Sequence, residues 1–157
     1  MEGMFHRKFS LRIGDASMET EIEKLLSNPY ASSLAFVSVT VLSLIVFLSC
    51  FELVARYKCW DEIKQGNMAV AMATGGKIFG ICNIFRFSIE SNVSIYQSLI
   101  WGAFGFIILL IAYLLFEFLT PVFRIDEEIA KDNRAVGFIA MTISVSLSYV
   151  IGATVII

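Results

Sequence analysis

The stretch Tyr96-Gln97-Ser98-Leu99-Ile100-Trp101-Gly102-Ala103-Phe104-Gly105-Phe106-Ile107-Ile108-Leu109-Leu110-Ile111-Ala112-Tyr113-Leu114-Leu115-Phe116-Glu117-Phe118-Leu119 decides the fold. Glu117 is its only charged side chain. A hydrocarbon core about 30 Å thick is crossed by roughly 20 helical residues rising about 1.5 Å each, and this stretch has that length. It is too long and too continuously apolar for a soluble strand. A helix also satisfies its own backbone inside lipid, where water cannot. The spacing therefore predicts a transmembrane helix over 96–119.

Working outward, three more stretches of the same kind lie at 33–55, 69–91 and 135–157. The expectation is an all-α, polytopic membrane protein with four transmembrane helices. The whole composition agrees: 57% apolar residues and a mean hydropathy of +0.76 exceed what a soluble domain of 157 residues shows. A short polar turn around Glu90-Ser91-Asn92 separates the second stretch from the third. The expected organisation is a tail over 1–32, a first helix hairpin over 33–91 and a second over 92–157. The tail sets Arg7, Lys8, Arg12 and Lys24 against five acids and lacks the apolar run of a signal peptide. Asn28-Pro29 breaks the chain before the first span. A short interfacial helix is expected over 18–26, with Ile22, Leu25 and Leu26 on one face, and Met18 is a second candidate start.

Charge and reactive residues narrow the chemistry. A formal charge of −2 supplies no basic face for nucleic acid. Cys50, Cys59 and Cys82 are widely spaced without a CxxC, which reads as small hydrophobes rather than a disulfide or zinc framework. His6, the sole histidine, has no Cys or His neighbour in the tail. No metal or cofactor is expected. Arg56, Lys58 and Lys64 lie in the first loop, Arg124 and Lys131 in the third, and Arg134 at the following membrane boundary, while the second loop has no basic residue. The bias of such residues toward the cytoplasm places loops one and three inside and both termini outside. Tyr57 and Trp60 on the inner side, with Tyr30 and Tyr96 on the outer, fit aromatic belts.

An internal repeat connects the halves. At an offset of 66, Glu62-Ile63-Lys64-Gln65-Gly66-Asn67-Met68-Ala69-Val70 aligns with Glu128-Ile129-Ala130-Lys131-Asp132-Asn133-Arg134-Ala135-Val136, identical in five of nine columns. Both copies precede the second helix of a hairpin. Two spans per unit give both copies one orientation, which is read here as a parallel repeat about a pseudo-two-fold along the membrane normal. Asn67 and Asn133 are expected to cap the incoming helices, with Glu62 and Glu128 among the acids at their positive ends.

Glu62-Ile63, Asn67 and Ala69-Val70-Ala71, with their second copy, resemble the uncharacterised bacterial transmembrane family that includes YshE and YjfL. The resemblance covers about 34–157 and implies a four-helix, multi-pass protein of the bacterial inner (plasma) membrane with a tandem hairpin repeat. It carries no biochemical activity with it. The long tail over residues 1–28 departs from the family's compact form.

Inside the spans, Ala69, Ala73, Gly76 and Gly80 form one ladder of small residues, and Ala140, Ser144, Ser148 and Gly152 another. Such faces let helices approach closely. At the repeat offset Gly76 and Gly80 pair with Thr142 and Ser146, also small, which favours contact between the two even-numbered spans. Lys77 lies about 8 positions, roughly 12 Å, into its helix, close to the midplane. A charge there costs about 2.5–3.5 kcal/mol on insertion scales, so it snorkels or finds a partner. Glu52 and Glu117 are the candidate partners, and with Lys77 they form a candidate ion or polar site. Arg86 and Glu90 have the spacing of an exposed helical ion pair.

No nucleophile and base pair, metal-ligand cluster or phosphate-cradling glycine loop is recognisable. The reading is therefore a nonenzymatic scaffold or subunit of a membrane assembly, partnered by the lipid bilayer and by further copies of itself or another membrane or cytoplasmic protein. The alternative is a small ion or proton channel or transporter formed by oligomers.

Overall fold

The computed structural model describes residues 22, 24, 27–55, 57–91, 94–119 and 124–155. Among them the helices are α1 (Pro29–Val54), α2 (Cys59–Lys64), α3 (Met68–Ser91), α4 (Ile95–Leu119), α5 (Ile125–Ala130) and α6 (Arg134–Val155). Four of these, α1, α3, α4 and α6, are long and apolar enough to cross a membrane. The protein is an all-helical, polytopic membrane protein. Most of the interfacial helix expected over 18–26, and Arg56 of the first loop, lie outside the described residues.

The described residues up to Ser38 and those from Val39 onward belong to two separate units. In the first, α1 begins at Pro29 rather than at 33, for a local reason. Asn28 accepts a hydrogen bond at Oδ1 from the Tyr30 N–H at 3.0 Å, and Pro29 occupies a first-turn position where a missing N–H costs nothing. Ser33 and Ser38 return their hydroxyls to the carbonyls of Pro29 and Leu34, both at 2.8 Å, so neither needs a partner in lipid.

In the second unit α3 is the central helix, packed along α6 and against part of α4. Phe47 stacks on Phe106 with centroids 4.0 Å apart. Phe51 meets Phe106 and Tyr113 edge-on at 5.4 and 5.6 Å. These aromatics join Ile81, Ile84, Phe85, Leu109 and Ile151 in one core. The apolar side chains left exposed on α1 and α4, such as Val46, Ile100 and Ile107, suit a lipid surround.

Glycine sets the spacing of α3 and α6. A Cβ on Gly76 would lie 2.6 Å from the Met141 Cα, and one on Gly137 would lie 2.6 Å from the Ala69 Cα, both backbone atoms. Gly80 faces the Ser144 carbonyl oxygen and the Ser148 Cβ, and Gly152 is pressed against the Phe87 ring. Asn83 Nδ2 donates to Ser148 Oγ at 3.0 Å, closing a buried polar contact across the same seam.

The seam corrects the expected two-fold. A two-fold would join the helices through equivalent residues. Instead α3 contributes Ala69, Gly76, Gly80 and Asn83, while α6 contributes Gly137, Met141, Ser144 and Ser148. At the repeat offset the α6 residues correspond to Ala71, Gly75, Ile78 and Cys82, a set centred roughly 140° around the helix from Ala69, Gly76, Gly80 and Asn83. Thr142 and Ser146, the counterparts of Gly76 and Gly80, are exposed. At that offset the two helices therefore meet through largely opposite sides.

Candidate functional site

The site forms where α2 and α5 turn the chain into α3 and α6. Each short helix ends at a left-handed residue, Gly66 with φ +89° and Asp132 with φ +58°. Gly66 N–H donates to Ile63 O and Asn67 N–H to Glu62 O, at 3.0 and 3.1 Å. Asp132 N–H donates to Ile129 O and Asn133 N–H to Glu128 O, at 3.1 and 3.0 Å. This pair of bonds is a helix ending that satisfies its last carbonyls. The side chains add a matching bond, Asn67 Nδ2 to Glu62 Oε2 at 3.2 Å and Asn133 Nδ2 to Glu128 Oε2 at 2.9 Å. The Asn133 and Lys131 donors hold the Glu128 carboxyl below the usual carboxylate range.

Beyond that shared frame the elbows differ. Asn67 accepts from the Val70 N–H at 2.9 Å, capping α3, and its Nδ2 reaches Ile129 O and Ala130 O of the second elbow at 3.2 and 3.1 Å. Asp132 answers by accepting from the Ala69 N–H at 2.9 Å, which holds its carboxyl below the ordinary value. The start of α3 is thus stitched to the second elbow, and these bonds place both elbows at one end of the bundle. Among the described residues the Asn133 side chain bonds to Glu128 alone.

Lys77 stands one helical stretch deeper in α3 and is 2% exposed. Its Nζ donates to the Tyr57 hydroxyl at 3.4 Å. The ammonium also lies over the rings of Tyr113, Phe51 and Tyr57, at 4.5, 5.2 and 5.5 Å from their centroids. Aromatic faces attract a cation most strongly where water is excluded. Burial pushes the Tyr57 phenol above its ordinary value, with Asp126 adding to the effect, so it presents a neutral hydroxyl to the lysine. Tyr113 donates to Asp126 Oδ1, and Asp126, itself 2% exposed, places a carboxylate behind the two tyrosines.

The structure gives the two expected partners of Lys77 different surroundings. Glu117 accepts at Oε2 from the Asp126 N–H at 3.2 Å, fixing the start of α5. Glu52 shares with Lys77 a void of about 10 Å³ that Cys59, Trp60 and Thr74 also line. Thr74 Oγ1, on that void, is the buried side-chain atom left without a hydrogen bond among the described residues. The volume is that of about one water molecule. Neither glutamate forms an ion pair with Lys77 among the described residues.

Sequence reasoning missed Tyr57, Tyr113 and Asp126. Trp60, Tyr30 and Tyr96 are exposed, as belt residues are, but Tyr57 is buried under the elbow. Its place in a loop two residues before a Cys-Trp helix start gave no sign of that. Gly137 was missed because the α6 ladder was read from Ala140 onward. Arg86 and Glu90 pair at 3.2 Å with both side chains about half exposed.

The sequence pattern of the Domain of Unknown Function (DUF350) matches residues 23–155. The UPF0719 transmembrane protein YshE of Bacillus subtilis (strain 168) is 60% identical over 119 residues, which cover 76% of this chain and 89% of that protein. No solved structure matches.

Proposed function

The chain belongs to the DUF350 family, an uncharacterised transmembrane family, and on that premise we propose that it is a nonenzymatic structural subunit of an assembly in the bacterial inner membrane. In this reading 33–91 and 92–157 are two copies of one hairpin, the elbows face the cytoplasm and both termini lie outside. The subunit's partner is another copy of itself.

The observation that supports this reading is the state of Lys77. Its charge is spent on one hydroxyl and three aromatic faces, and the adjoining void has room for about one water. A conducting site needs hydrated approach and exit, and a general acid or base needs substrate within reach. A caged cation serves neither. What it does well is tie α1, the first loop, α3 and α4 together below the elbow.

Liposomes test the reading. With the protein reconstituted under proton, sodium and potassium gradients, no flux above that of empty vesicles is expected from the parent or from Lys77→Met. Lys77→Met is expected to melt earlier, by about 2 kcal/mol, because the aromatic cage loses its cation. A flux in the parent that disappears in Lys77→Met overturns the structural reading in favour of an ion or proton path.

A further inference from the structure

We propose that the outer face of the second hairpin, around Ala135, Ile139 and Thr142, docks the α3 face of a second copy around Ala71, Gly75 and Ile78, so that copies join head to tail. This rests on the subunit reading above and names the surface it uses.

The occupant is argued from how the first copy of the repeat is covered. Its columns Ala69, Val70, Ala73, Thr74 and Lys77 are all buried: at the helix start the second hairpin covers them, through Gly137 on Ala69 and the α5 carbonyls on Asn67, and deeper in, Phe51, Tyr57 and Tyr113 close over Lys77. In the second copy the same columns are Ala135, Val136, Ile139, Ala140 and Ile143. Of these Val136 alone is buried, and Ile139 is 56% exposed. An open groove of about 400 Å³ lies there, lined by Phe116, Ile125, Asn133, Val136, Ile139 and Ile143. The repeat thus presents one face covered and its counterpart only partly so.

The complementary piece is on the same chain. The α6 residues that cover the first copy correspond to Ala71, Gly75, Ile78 and Cys82 on α3, all exposed or half-buried. The Gly75 Cβ position has no atom within 4 Å. Both halves of a joint therefore exist on opposite sides of one protein, which is the requirement for a heterologous contact that repeats from copy to copy. Asn133, whose Nδ2 bonds only to its own Glu128 among the described residues, stands where Asn67 donates to Ile129 O and Ala130 O. In the joint its targets are Ile63 O and Lys64 O of the next copy.

The joint between copies is looser than the one inside the chain. Thr142 and Ala71 occupy the columns where Gly76 and Gly137 bring backbones together, so their Cβ atoms widen the seam. Gly66 replaces Asp132 and cannot cap Ala135 as Asp132 caps Ala69. The internal contact is permanent, and the external one is reversible.

Oxidative cross-linking in native membranes tests this. In a chain with Cys50, Cys59 and Cys82 replaced by alanine, Gly75→Cys and Thr142→Cys are introduced together. These positions are counterparts of the internal Met141 and Gly76, and they face away from each other within one chain. The expected result is a ladder of dimers, trimers and higher species, with each single variant remaining monomeric. Adding Ile139→Trp, which fills the groove, is expected to remove the ladder without changing the monomer's melting. Absence of the ladder from the pair, or dimers from Thr142→Cys alone at equal yield, overturns the proposal. A multimeric native mass without a ladder overturns this joint alone, whereas a monomeric mass overturns the subunit reading as well.

Discussion

The starts of α3 and α6 carry the same elbow and live in different surroundings. Glu62 with Asn67 and Glu128 with Asn133 make the same backbone and side-chain bonds. Yet Asn67 adds a cap on its own helix and two bonds to the other elbow, while Asn133 adds none among the described residues. Ala69 is fully buried and Ala135 is exposed. The local turn is therefore written in the repeated residues, whereas burial and polar satisfaction come from the neighbour each copy is given. One local turn can stand in two different interfaces.

Glycine substitutions break the comparison most severely. Gly137→Leu is expected to cost about 3 kcal/mol or to prevent folding, because its Cβ meets the backbone of Ala69, which cannot yield as a side chain would. Gly75→Ala, its counterpart column on α6 being Met141, is expected to be neutral or slightly stabilising, since the position is open and alanine favours helix. Thermal melting in detergent compares the two, and equal losses would show that the seam is not where the structure has it.

Asparagine substitutions sharpen the comparison. Asn67→Ala removes a cap and leaves two carbonyls of the second elbow short of a donor, for an expected loss of about 2 kcal/mol. Asn133→Ala is expected to cost about 0.5 kcal/mol, having one partly exposed bond to lose. Equal effects on the melting of the monomer would mean that the two elbows are equivalent after all.

Acid gives the smallest effect. Asp132 has a carboxyl held below its unfolded value, chiefly by the Ala69 N–H, so its contribution is present at neutral pH. That contribution fades as pH falls below about 4, toward the lower folded value. Melting of Asp132→Asn should depend less on pH in that window than melting of the parent. The remaining slope comes from Glu128, shifted in the same direction. An unchanged pH profile would remove Asp132 from the contact between elbows.

The four spans were legible because length and apolarity are properties of the chain itself, and the largest shift of an end, α1 starting at Pro29, follows the local cap that Asn28 and Pro29 make. The small-residue positions Gly76, Gly80, Ser144, Ser148 and Gly152 were legible as a pattern. Which side of each helix they face was not, because the offset alignment makes both sides look alike. The lysine's place inside a span-length helix was legible, but its surroundings were not. Tyr57 and Tyr113 reach it from a loop and a distant span, and Asp126 looked like one acid among three at a helix start. Aromatic and carboxylate partners brought together by folding back leave no spacing in the sequence.

The mass of the protein extracted with its surrounding lipid, without prior exposure to harsh detergent, tests the central claim most directly. The account predicts an integral multiple of the 17.5 kDa chain that dissociates on dilution. A single 17.5 kDa chain at all concentrations would contradict it.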